Sequence, residues 1–213
     1  MRRAVTIRGV RARDLRVLGA VGVLAGLLAG CGIRATQVPT DFGPAPSMVP
    51  CELSVTDVPT QVTPSGMPVE VFLLCSGALV RVNRSVQVTE GADETRRRVV
   101  VAQGLLNALA GNPSGVEDEA GYRTAVPTGL TVTGPRPADP ADTLRLSTPP
   151  DALPRYALAQ IVCTFADSAA AGDNGSVVLG STSADTLRRY DCTPEVQSNP
   201  GSGTPPSTEV AVS

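Results

Sequence analysis

Two hydrophobic rhythms run along this chain, one with the period of strands and one with the period of helices. Residues 69–75 (Val-Glu-Val-Phe-Leu-Leu-Cys) are mostly apolar and rich in β-formers, and 78–84 alternate apolar with polar beyond Ser76-Gly77. Such runs joined by a tight turn predict a hairpin, with Val86-Gln87-Val88 prolonging its second strand. Val99, Ala102, Leu105, Leu106 and Leu109 then recur at helical steps, the stripe of an amphipathic helix opened by Asp93 and closed by Gly111. Residues 112–121 read as a polar loop, 122–126 and 129–132 as short β-prone pieces around Pro127, and 134–140 as a Pro-rich turn before a strand over 144–147. A second helix is expected over 153–170, burying Leu158, Ile161, Val162 and Phe165. Gly172-Asp173-Asn174-Gly175 turns the chain into 177–179, the last strand expected. Residues 193–213, rich in Pro, Ser, Gly and Thr, read as a disordered tail. The order β-β-α-β-β-α-β predicts an α/β (α+β) fold: a single small domain over 69–192, with a mixed sheet covered by two helices.

The first 30 residues carry a different pattern. Arg2, Arg3, Arg8, Arg11, Arg13 and Arg16 precede an apolar run over 17–28, the n-region and h-region of a secretory signal. That run is shorter than the roughly 20 residues of a bilayer span, which weighs against a transmembrane helix with a chance cysteine. Leu28-Ala29-Gly30-Cys31 resembles the lipobox of bacterial lipoproteins. The resemblance implies that Cys31 is diacylglyceryl-modified and acylated, becomes the new N-terminus, and holds the protein on the outer face of the cell membrane. Two or more acyl chains suffice for stable anchoring. Residues 32–68 follow as a tether, interrupted by Pro39, Pro44, Pro46, Pro50, Pro59, Pro64 and Pro68 too often to form a helix.

Charge sharpens the picture. All 18 basic residues are Arg; beyond residue 30, 12 of them face 19 acidic residues, a net charge of −7. Such a domain has no electrostatic footprint for nucleic acid. The Arg bias, with abundant Ala, Gly, Val and Pro, fits a high-GC genome. With Cys31 assigned to lipid, Cys51, Cys75, Cys163 and Cys192 remain, an even set that outside the cytoplasm predicts two disulfides. The expected pairing is Cys75–Cys163, strand to covering helix, and Cys51–Cys192, tether to tail. Metal is the competing use of four cysteines, but no close Cys pair and no His is present to build a zinc site, so neither metal nor cofactor is expected.

Three segments carry a family resemblance. Gly121-Tyr122-Arg123-Thr124-Ala125-Val126-Pro127-Thr128-Gly129 is similar to the G-x-x-T/S-A-x-P-x-G segment of GerMN domains. Ala157-Leu158-Ala159-Gln160-Ile161-Val162-Cys163-Thr164 resembles their A-L-A-Q-L-V-Y-T helix. The Leu-rich helix ending at Ala110-Gly111-Asn112-Pro113 is similar to their L-L-x-G-P ending, with Asn112 inserted. The resemblance covers roughly 69–180 and implies a small α/β module of spore-germination and actinobacterial surface lipoproteins, not known as a catalyst. Gly180-Ser181-Thr182 and the extension to Cys192 depart from the pattern.

Absence of His and Lys excludes Ser-His-Asp, Cys-His and Ser-Lys machinery and Schiff bases, and no phosphate-cradling Gly loop occurs. Paired carboxylates could still cleave a glycosidic bond, with Glu117, Asp118 or Glu119 as candidates. Neither that run nor Asp173-Asn174-Gly175 has the alternating ligands of a calcium loop. Arg96, Arg97 and Arg98 in the first turns of the first helix are a candidate partner surface, against the alternative of a solvated face. These features favour a non-catalytic, membrane-tethered module that binds an envelope protein. A small-ligand sensor with an apolar pocket is the alternative, and a carboxylate-dependent glycan hydrolase ranks last.

Overall fold

A computed structural model describes residues 51–52, 66–87, 93–172, 174–184 and 186–211. The signal region, Cys31 and most of the tether lie outside the described residues. Among the described residues the chain builds two sheets. β1 (Met67–Cys75) and β2 (Ala78–Val86) form an antiparallel hairpin in register from Met67↔Val86 to Cys75↔Ala78. Ser76 (φ 50°) and Gly77 (φ 85°) both take positive φ, the backbone a two-residue turn needs to match the strand twist. β3 (Val132–Thr133), β4 (Thr143–Leu146), β5 (Val177–Ser181), β6 (Leu187–Tyr190) and β7 (Ser207–Val210) form the second sheet in that order, with only β4 and β5 parallel.

α1 (Glu94–Ala110) starts at Asp93, whose carboxylate accepts the Arg96 N–H at 2.9 Å. Its Val101, Ala102, Leu105, Leu106 and Leu109 pack with Val71, Leu73 and Val82 of the hairpin. A short α2 (Gly115–Glu119) follows where the sequence reads as loop. α3 (Arg155–Ala166), preceded by a 3-10 turn at Pro150–Ala152, makes the β4–β5 crossover. Every residue from Ala157 to Phe165 is buried, as expected of a helix packed on more than one side. Its Ile161, Val162 and Phe165 share the main core with β1, β4 and β5, while Ala159 and Cys163 join Phe72, Leu79 and Val196 in a second cluster.

Several expectations are corrected. The mixed sheet is divided in two, and 122–126 is not a strand, because Arg123 alone bridges to Leu74. The described part of the tail, 193–211, is structured: α4 (Pro194–Ser198) is capped by the Thr193 hydroxyl, buries Val196, and leads to β7 on the sheet edge. Proline there sits at the first helical position, where its missing N–H costs nothing.

The cysteine pairing also differs. Cys51 bonds Cys75 and Cys163 bonds Cys192, with Cα separations of 5.7 and 4.8 Å. Alternate residues of a strand point to opposite faces. Cys75 therefore faces the main core with Val71 and Leu73, while Cys163 lies on the Phe72 side of the hairpin. Cys51 is held beside Cys75, its N–H on the Ala120 carbonyl (3.1 Å) and its carbonyl accepting from the Tyr122 hydroxyl (2.8 Å). Two disulfides suit an oxidising, extracytoplasmic compartment. Among the described residues no helix is long and apolar enough to cross a membrane.

Candidate functional site

The predicted charged residues do not converge. Arg96 and Arg97 are exposed, whereas Arg98 turns inward, its side chain 11% exposed, toward Glu94 (3.1 Å) and the Ala141 carbonyl (3.2 Å). Consecutive helical residues point in different directions, so the three guanidinium groups share no single face. Glu117 is buried. Its oxygens accept from Arg84 at 2.7 and 2.9 Å and from the Ser114 N–H at 2.7 Å, closing a capping box on α2. Burial pushes its pKa up, but the Arg84 and Ser114 bonds outweigh that and hold it below the usual value. Asp118 pairs with Arg123 at 2.7 Å on the surface, and Glu119 is exposed. The acidic run is thus divided between a structural lock and solvent. Asn174 is exposed beside Gly175, and Asp173 lies outside the described residues.

A second buried ion pair has no counterpart in the sequence reading. Arg145 on β4 donates from Nε and Nη2 to both oxygens of Asp139 at 2.6 Å, and from Nη1 to the Ser181 and Ala184 carbonyls at 2.7 and 2.6 Å. Both side chains are 1% exposed. Hydrogen bonding to Arg145 lowers the Asp139 pKa against burial, helped by the Arg136 N–H. Gly180, cross-strand from Arg145, makes room chiefly for Leu187: a Cβ there would collide with the Leu187 side chain and would also stand 3.3 Å from the Arg145 guanidinium. Arg189 likewise reaches Asp142 (3.3 Å) and Ser176 (2.9 Å). An Arg between two leucines in a strand reads as outward-facing, so the pattern hides this pair. For Glu117 the Ser114-to-Glu117 spacing is a signal of the α2 cap that the loop reading passed over, and the Arg84 partner has no local signal.

The family-like segments meet in space. Gln160 of α3 donates to the Phe72 carbonyl (2.9 Å) and accepts the Ala125 N–H (2.7 Å), while Thr164 accepts the Phe72 N–H (2.9 Å). Leu74 exchanges two backbone bonds with Arg123. The outer edge of β1 is therefore closed by α3 and by the 121–129 segment.

A concavity of about 830 Å³ lies on the α3 side of the second sheet. Its walls are 149–152 and 204–206, including Pro149, Pro150, Pro205 and Pro206. Leu179, Arg188 and Ser207 lie across its base on neighbouring strands. Arg188 donates from Nε to the Ser207 hydroxyl at 2.9 Å. Burial raises the Tyr190 pKa; the Arg188 charge opposes this and the Asp151 charge adds to it. A shallower recess of about 560 Å³ lies between the end of β2 and α1. Among the described residues no three His, Cys, Asp or Glu side chains gather where they could hold a metal.

This geometry defines a disulfide-bonded mixed α/β domain with an apolar, proline-walled groove. Comparison with protein-family models, curated proteins and solved structures returned no match.

Proposed function

We propose that this chain is an exported, lipid-anchored and non-catalytic module, related to GerMN domains, that binds a partner at the outer face of the cell membrane. The observation carrying the reading is the order of charged segment, short apolar run and Leu28-Ala29-Gly30-Cys31. Its two disulfides fit that address. The non-catalytic part is supported by Glu117 being held by Arg84 and Ser114, and by a sequence with neither His nor Lys. Likeness to GerMN segments over 121–129 and 157–164 supports the envelope setting.

Cys31→Ala is expected to release the domain from membranes or leave an unprocessed precursor, read by fractionation and intact mass. A mature chain with a free, unmodified Cys31 would refute the anchor. Saturable cleavage of cell-wall glycan by the purified protein would overturn the non-enzymatic reading. The groove over β5–β7 favours small-ligand binding as the second reading, since its volume falls in the range of ligand sites.

A further inference from the structure

We infer that the groove bounded by 149–152 and 204–207 binds a zwitterion, a free amino acid or short peptide, with its carboxylate on Arg188 and its ammonium on Asp151. The biological setting rests on the binding reading above, but the chemistry of the groove does not depend on Cys31.

Opposite charges line this groove without pairing with each other. Arg188 engages Ser207 through Nε alone, and its Nη1 and Nη2 groups have no partner among the described residues. Asp151, at the start of the 3-10 turn, likewise makes no hydrogen bond or ion pair there. Both residues line the same groove. Glu209 stands cross-strand from Arg188 but outside the groove lining, and forms no ion pair with it. A guanidinium fork suits a carboxylate, and a lone carboxylate suits an ammonium. The body of the ligand would lie between proline walls, whose fixed φ keeps the groove preformed and lowers the ordering cost of binding. A ligand that carries a carboxylate, an ammonium and an apolar side chain therefore matches the groove in charge and polarity.

The test uses the full-length chain in detergent micelles and isothermal titration calorimetry. The probes are leucine and the tripeptide Ala-Leu-Ala, each with free ends, with an acetylated amine, and with an amidated carboxylate. At least one free-ended probe should bind saturably, and which one binds separates an amino acid from a peptide as the natural source. Capping either end should weaken binding by about fivefold, the scale of a solvent-exposed ion pair. Arg188→Gln should remove the difference between acid and amide, and Asp151→Asn the difference between amine and acetyl. Arg96→Gln, on another surface, should change neither. Both groove side chains are exposed, so the variants should keep the wild-type circular dichroism. No saturable binding of free-ended probes up to about 10 mM, or capping effects that persist in both variants, would overturn the inference. Fractionation of the Cys31→Ala chain would still decide the anchoring separately.

Discussion

Gln160 is a polar residue on the most buried helix of the protein, and it stands there because two backbone groups need it. Its amide bonds the Phe72 carbonyl and its oxygen takes the Ala125 N–H. Gln160→Leu preserves size but orphans both groups, and each unsatisfied buried group costs about 1–3 kcal/mol. Urea unfolding should therefore show a loss of about 2–4 kcal/mol; a loss below about 0.5 kcal/mol would mean the edge of β1 needs no such closure. Acid should act on the same scale. Glu117 and Asp139 both have folded pKa values below their ordinary 4.5 and 3.8. Unfolding then takes up protons as pH falls past those values, so their contribution is present above them and declines toward the lower folded pKa. The denaturation midpoint should drop below about pH 4.5, and less so in Glu117→Gln with Arg84→Met, where that pair is gone. An unchanged acid profile in the double variant would exclude the Glu117 pair as a source of this acid sensitivity. At this scale both locks escaped the pattern: residues 112–121 read as loop although the Ser114-to-Glu117 spacing is that of a cap, and the partner of Arg145 lies in a Pro-rich turn that also reads as loop.

Elements with long, regular patterns were legible. The hairpin and α1 lie within a few residues of expectation because alternation and helical stripe are local signals. Division into two sheets was not legible, because β3, β4, β6 and β7 have two to four residues each and owe their existence to non-local pairing. The C-terminal segment shows the difference most sharply. Its Pro, Ser and Gly content reads as disorder, yet β7 pairs along all of β6 and 204–206 wall the groove. A disordered tail could be removed silently. Stopping the chain after Asn199 should instead lower stability by about 2–4 kcal/mol, at roughly 1 kcal/mol per lost backbone hydrogen bond, and leave β6 as an open edge prone to association. An unchanged urea midpoint in the truncated chain would count against β7 as a structural strand.

At the scale of the whole molecule, the cysteine bonds join regions that the chain order keeps apart: Cys51 to the end of β1, and the middle of α3 to the approach to α4. The sequence announced two bonds but not their partners, since pairing depends on which face of the hairpin each cysteine meets. The position of Cys51 has a mechanical consequence. A pull applied upstream of it passes through the sulfur bridge into Cys75 and, through Ala120 and Tyr122, into the body of the domain. Tension therefore meets a covalent bond before it reaches the row of hydrogen bonds between β1 and β2, and the hairpin is not unzipped from its free end.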